Sequence, residues 1–192
     1  MLELAILGLL SEAPLHGYEL RQRLKTTLGS FRAFSYGSLY PTLRRMKDSG
    51  WLAEDEGDAE VVAGAPPLTG KRGKVVYKLT AEGKERFTAL LAEAGPSSWE
   101  DEQFGVHFAF FSKTDPEVRV RILEGRRARL EERREGVRTS LARTRERLDS
   151  YTLQLQEHGL ESVDREVRWL NELIETERAN VQSSPRPSTN TL

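Results

Sequence analysis

Arg44 and Arg45 stand side by side in a run from Arg32 to Lys47 that holds four basic residues and no acid. A guanidinium donates two parallel hydrogen bonds, to a phosphate or to the O6/N7 edge of a guanine, so the chemistry on offer is recognition of a polyanion. A second basic group, Lys71, Arg72 and Lys74, surrounds Gly73, where backbone can approach a phosphate closely. Tyr18, Lys25, Ser38 and Tyr40 add hydroxyls and an ammonium that suit phosphate oxygens, and Pro41 lies beside them. Each has a plainer reading. Ser38 also suits a helix N-cap, Tyr18 and Tyr40 suit half-buried packing, and paired arginines suit a solvated helix face.

Catalytic chemistry finds no matching set of residues. The three histidines, His16, His107 and His158, lie far apart without carboxylates at ligand spacing, and there is no cysteine. A thiolate zinc site, a disulfide framework and a cysteine nucleophile are excluded. Gly70-Lys71-Arg72-Gly73 lacks the spacing and the hydroxyl of a phosphate-binding loop, and no serine has a nucleophile-elbow context. The expectation is a binding protein with no enzymatic activity, metal or cofactor.

The chain of 192 residues, 38% hydrophobic and 31% charged, is globular and charge-rich. Its net charge of −1 favours no partner, but the distribution is uneven. Residues 1–80 carry eleven Lys/Arg against nine acids, and residues 81–192 carry eighteen against twenty-one. A local basic stripe suffices for a polyanion, because charges act over only about 10 Å at physiological salt. No apolar run approaches the roughly 18 residues of a membrane span. The apolar stretch Leu2 to Leu10 carries Glu3 and follows no basic segment, so it reads as a buried helix rather than a secretion signal. The expected location is the cytoplasm.

The elements that must position these residues follow from periodicity. Leu2, Ile6, Leu9 and Leu10 mark a first helix that Pro14 ends. Leu20, Leu24 and Leu28 mark a second, over about His16 to Leu28, with Gly29 after it. Leu39, Leu43 and Met46 mark a third that begins near Ser38 and closes at Gly50, its opposite face carrying Pro41, Arg44 and Arg45. Trp51–Glu56 and Lys74–Leu79 read as two strands joined by the Gly- and Pro-rich loop Gly57–Gly73. Thr80 caps a fourth helix reaching about Glu93, and Gly95-Pro96-Ser97-Ser98 reads as a linker.

The rest reads as helical. Trp99, Phe104, His107 and Phe108 crowd the first segment and would suit an effector pocket, although Phe104, Phe108 and Phe111 at helical spacing also suit a core. Asp115-Pro116 opens a long helix in which Leu123, Leu130, Val137, Thr144 and Tyr151 recur every seven residues, and Leu141, Leu148 and Leu155 form a second series. These two series describe a seam, either between chains or within a hairpin that turns near His158-Gly159 and returns through Val163, Val167, Leu170 and Ile174. The residues assigned to dimerisation are Leu123, Leu130, Val137, Leu141, Leu148, Tyr151, Leu170 and Ile174. Arg126, Arg127, Arg129, Arg133 and Arg134 alternate with glutamates and read as a solvated face with i,i+4 pairs.

Three helices, a two-stranded hairpin and a further helix form the order of a winged helix-turn-helix, whose third helix enters the major groove. The expected fold is mainly α. A winged helix-turn-helix DNA-binding domain spans 1–95, antiparallel or coiled-coil-like dimerisation helices span 96–180, and a disordered tail spans 181–192.

The segments Leu4-Ala-Ile-Leu-Gly-Leu-Leu, Pro14-Leu-His-Gly-Tyr-Glu-Leu and Tyr36-Gly-Ser-Leu-Tyr-Pro-Thr-Leu-Arg-Arg-Met resemble the N-terminal signature of PadR-type transcriptional regulators. The resemblance covers residues 1 to about 95, and the helical remainder is similar in length and position to the dimerisation region of the longer subfamily. It implies a homodimer that binds a palindromic DNA operator, represses transcription and is released by a small effector. The loop Gly57–Gly73 is long for that family, and its acidic first half (Asp55, Glu56, Asp58, Glu60) would repel DNA. The alternative is a winged-helix module whose long helices bind a protein partner while its DNA face is idle.

Overall fold

The computed structural model describes residues 2–29, 36–56 and 75–183. Helix α1 (Leu2–Leu10) buries every side chain from Leu4 to Leu10, as a helix apolar on all sides must. Beyond Pro14, the short strand β1 (Leu15–His16) leads into α2 (Gly17–Leu28), which buries Leu20, Leu24 and Leu28. The Glu19 carboxylate reaches back and accepts the His16 N–H at 2.8 Å, satisfying a donor at the start of the helix. A 3-10 turn, Tyr36–Ser38, precedes α3 (Leu39–Asp48), whose buried stripe contains Leu39, Leu43 and Met46. α3 ends in a Schellman motif. Gly50 has φ of +77°, the Trp51 N–H donates to the Met46 carbonyl at 3.0 Å and the Gly50 N–H to that of Lys47 at 2.8 Å.

Strands β2 (Leu52–Glu56) and β3 (Val75–Leu79) pair antiparallel from Leu52↔Leu79 to Glu56↔Val75. The sheet has three strands, not the two expected: β1 pairs with the other edge of β3, Leu15 opposite Tyr77. Two residues carry no alternation to read, so only the partner defines that strand. Helix α4 (Ala81–Ala92) is capped by Thr80, whose Oγ1 accepts the Gly83 N–H at 3.0 Å and donates to the Gly50 carbonyl at 2.6 Å. Gly83 lies where a Cβ would sit 2.1 Å from the Trp51 carbonyl oxygen. The Arg86 guanidinium lies 5.3 Å from the centroid of the Trp51 ring and pairs with Glu3 at 2.9 Å.

The linker expected at 95–98 is instead a one-turn helix, α5 (Pro96–Trp99), with Pro96 in its first turn, where a missing N–H costs nothing. Helix α6 (Asp101–Ala109) follows, then a 3-10 turn at Phe111–Lys113. The chain divides into two compact units: residues up to Glu93 with Asp101–Lys113, and Ala94–Glu100 with everything from Thr114 onward. This differs from the single break expected at residue 95, because α6 and the turn after it help to build the first core. The Phe110 ring covers Gly8 so closely that a Cβ there would lie 2.3 Å away, and it meets Phe87 edge-on at 6.1 Å. Lys113 Nζ donates to Ser11 Oγ at 2.8 Å and to Glu12 at 3.0 Å, closing the end of α1.

The second unit is an antiparallel hairpin of α7 (Pro116–Thr144) and α8 (Ser150–Ser183), with α5 packed on α7. The Asp115 side chain caps α7 at the Glu117 N–H, 2.9 Å away. The seven-residue series does not run through one helix. It breaks at a 3-10 turn, Arg145–Arg147, where Leu148 turns extended and Asp149 accepts the N–H groups of Tyr151 and Thr152 at 2.9 and 3.0 Å to start α8. The turn expected at His158-Gly159 lies inside α8. α8 runs on to Ser183, past the expected start of the tail at 181, and residues 184–192 lie outside the described residues.

Several arginines of α7 find partners across the hairpin, although Arg138 also pairs with Glu135 one turn away at 3.1 Å. Arg119 pairs with Glu177 at 3.0 Å, Arg134 with Asp164 at 3.5 Å, and Arg127 donates to Asn171 at 3.1 Å. Buried Arg126 contacts Glu166 through Nε and a terminal nitrogen at 2.9 and 2.8 Å, and donates to the Trp99 carbonyl at 3.2 Å. Among the described residues no helix is long and apolar enough to cross a membrane.

Candidate nucleic-acid interface

Because α3 buries Leu39, Leu43 and Met46, its other side must face outward. Pro41, Arg44, Arg45 and Asp48 stand there at i, i+3, i+4 and i+7, and all four are exposed. Among the described residues neither arginine side chain has a hydrogen-bond or ion-pair partner. Asp48 puts a negative charge at the far end of the strip, so the first turns of α3 are the part that suits a polyanion. Ser38 occupies the N-cap position but with helical backbone (φ −87°, ψ −14°) and no side-chain cap bond, so its hydroxyl does not cap the helix.

Tyr40, Arg44 and Lys47, at i, i+4 and i+7, border a cleft of about 390 Å³ between α3 and the sheet, with Pro41, Glu54, Val75 and Tyr77 as its other walls. Tyr40 is 47% exposed, yet its ring also reaches α2, where a Cβ on Gly17 would come within 3.2 Å of it. Tyr40 thus packs against α2 while nearly half of it stays open to solvent. Lys47 Nζ donates to Glu54 Oε2 at 2.7 Å, and this bond raises the lysine above its ordinary pKa, so it stays charged. Burial, then the Glu54 carboxylate, push the Tyr77 phenol up, so its O–H stays a donor.

Lys47, Glu54 and Tyr77 were missed in the sequence. The sequence carried no signal for them: Glu54 is exposed at the edge of the cleft, where an acid needs no partner, and only the packing of α3 brings Lys47 to it.

On α2, Tyr18 is half-buried and Lys25 is exposed. They share a face with Arg21 and Gln22, at i, i+3, i+4 and i+7. Lys71, Arg72, Lys74 and the loop Gly57–Gly73 lie outside the described residues. The residues considered for an effector divide between the units. Trp99 belongs to the second, its ring so close over Gly125 that a Cβ there would lie 2.4 Å from it. Phe104, His107 and Phe108 belong to the first. Phe104 and His107 are buried, and the Phe108 ring lies tilted between Phe104 and Phe111 with centroids at 5.7 and 4.9 Å. Of the residues assigned to dimerisation, Leu123, Leu130, Leu170 and Ile174 are buried within the hairpin of a single chain. Val137, Leu141 and Leu148 are half-buried, and Tyr151 is 83% exposed.

Residues 6–89, from within α1 to within α4, match the transcriptional regulator PadR-like family. The matched residues hold α2, α3 and the sheet, and so the arginine strip and the cleft beside it. The chain is 32% identical over 96 residues to the negative transcriptional regulator PadR of Bacillus subtilis, an alignment that takes in 50% of this chain and 48% of that one. The chain thus matches about half the length of this curated relative. Among solved structures, it is similar to Bacillus subtilis PadR in complex with operator DNA (21% identity, 92% and 98% of the two chains, TM-score 0.41). It is also similar to the same protein in complex with p-coumaric acid (21%, 92% and 98%, 0.41). A third is a PadR-like transcriptional regulator from Bacillus cereus (20%, 94% and 99%, 0.40).

Proposed function

We propose that the protein is a homodimeric transcriptional repressor that binds a palindromic DNA operator through α3. The observation that carries this reading is the outward strip of α3, where two arginines without partners among the described residues stand in a PadR-like domain. Arg44 and Arg45 read base edges in the major groove. Tyr18, Lys25, Ser38, Tyr40 and Pro41 fix the register against the backbone, and Lys71, Arg72 and Lys74 hold phosphates on the wing. Two such helices in a dimer, set one turn of DNA apart at about 34 Å, call for a palindromic site. The negative sense of regulation follows the name of the curated Bacillus subtilis relative.

Release requires a small effector that prefers the unbound arrangement of the dimer over the bound one. Phe104 and His107 are enclosed in the interior of the first unit, so a ligand reaches them only if that interior opens. Trp99 offers a fluorescence readout for a panel of small aromatic acids and other compounds.

The deciding experiment is a fluorescence-anisotropy titration of the full chain against duplex from the region upstream of its own coding sequence, with scrambled competitor. Binding that survives the competitor and weakens with salt is expected, and the Arg44→Ala/Arg45→Ala variant should lose it. Equal, weak binding to both duplexes would turn attention to the long helices as a protein-binding surface.

A further inference from the structure

The cleft beside α3 contains one charge that opposes DNA. Strand β2 alternates Leu52, which is buried, with Glu54 on the same face, and across the ladder Glu54 stands opposite Tyr77. The Glu54 carboxylate accepts from Lys47 at 2.7 Å, and Lys47 stands on the last turn of the helix that carries Arg44 and Arg45.

We propose that Glu54 is a specificity-determining residue: by cancelling the charge of Lys47 at the edge of the reading helix, it limits sequence-independent attraction to DNA. The inference rests on the operator-binding reading above. Sequence-independent affinity comes from cations that neutralise phosphates and release counterions, and each such contact adds about 0.9 to the slope of log affinity against log salt. Hydrogen-bond readout by Arg44 and Arg45 draws nothing from Lys47. A paired Lys47 therefore lowers attraction to every duplex alike and leaves the base contacts intact. Because a genome presents competing sites in vast excess, it is the ratio of specific to non-specific binding that counts.

The effect does not need the pair to stay closed. Exposed ion pairs open readily, but an opened pair still leaves the carboxylate on β2 facing any phosphate that Lys47 would reach. Asp55, one residue on, points to the opposite face of the sheet and pairs with Lys78 at 2.7 Å. It lies outside the lining of the cleft and serves as a control of equal charge.

The test measures affinity of the full chain for a random-sequence duplex across a salt series. Glu54→Gln is an isosteric change at an exposed position. It should bind that duplex roughly threefold tighter at low salt, the effect of one charge at groove distance, and its slope should steepen by about 0.9. The double variant Glu54→Gln/Lys47→Met should return to the wild-type slope, and Asp55→Asn should stay near it. An unchanged slope in Glu54→Gln, or an equal change in Asp55→Asn, overturns the inference. Failure of the wild type and every variant to bind any duplex overturns the operator-binding reading itself, and this inference with it.

Discussion

Arg44 and Arg45 flank the crest of α3 on opposite sides, Arg44 toward the cleft and Arg45 away from it. Replacing either with alanine should cost about 1–3 kcal/mol of operator binding and relax discrimination at one base pair each. Competition titrations against single-base operator variants would measure this. Loss that is uniform across all sequences would make the residue a phosphate contact instead.

His107 carries a pH dependence of its own. It is 5% exposed, and burial holds its pKa down at about 4, from 6.5. The folded chain keeps the imidazole neutral where the unfolded chain takes up a proton. Its contribution is therefore complete above pH 6.5, falls as the pH drops from there toward 4, and is absent below that. The loss should reach about 2 kcal/mol by pH 5. Urea midpoints at pH 7 and pH 5 would record it, and His107→Gln should flatten the difference.

Two glycines inside helices separate local propensity from tertiary contact. At Gly83 of α4 a Cβ would strike the Trp51 carbonyl oxygen at 2.1 Å, backbone that cannot step aside. Gly83→Ala should destabilise by about 1–3 kcal/mol. At Gly136 of α7 a Cβ would meet nothing within 4 Å, so Gly136→Ala should stabilise by about 0.5–1 kcal/mol through helix propensity alone. Thermal melts of the two variants should shift in opposite directions.

The hairpin contains a similar asymmetry at Arg126 and Glu166. Removing the carboxylate takes the Glu166 charge from a buried guanidinium that still donates to the Trp99 carbonyl, whereas replacing the arginine with an apolar chain leaves a carboxylate that is 33% exposed and reaches water. Glu166→Ala should therefore lower the denaturant midpoint more than Arg126→Met. The reverse order would mean that the remaining partners of the guanidinium suffice to hold it.

At the scale of the molecule, a dimer should elute with twice the 21.8 kDa chain mass in light scattering. Leu123, Leu130, Leu170 and Ile174 are spent inside one chain, so truncating them should unfold the hairpin rather than separate two copies. Tyr151 and Leu155 of α8, 83% and 68% exposed, are the residues of the seven-residue series that stay open to a second chain. Tyr151→Glu/Leu155→Glu should yield a folded monomer with the helical signal retained. A folded dimer would place the interface elsewhere.

The sequence by itself determined the elements whose periodicity is local. The apolar stripes of α1 to α3, the paired strands β2 and β3, the Thr80 cap and the Asp115 start of α7 were all legible, because each depends on residues a turn or a strand length apart. So were the arginine pair of α3 and, through three short motifs, the resemblance that the family match over residues 6–89 repeats. The tertiary structure decided the rest. It added β1, a two-residue strand that exists only through β3, and returned α6 to the first core, where Gly8 leaves room for Phe110. It broke the seven-residue seam at Leu148, because Asp149 with Thr152 starts a new helix. It also gave Arg119, Arg126 and Arg134 of α7 acids of α8 as partners, which no spacing within α7 could show. Lys47, Glu54 and Tyr77 became one site in the same way. Lys47 and Glu54 stand seven residues apart on a helix and a strand and Tyr77 lies on another strand, so only the packing of α3 on the sheet brings the three together.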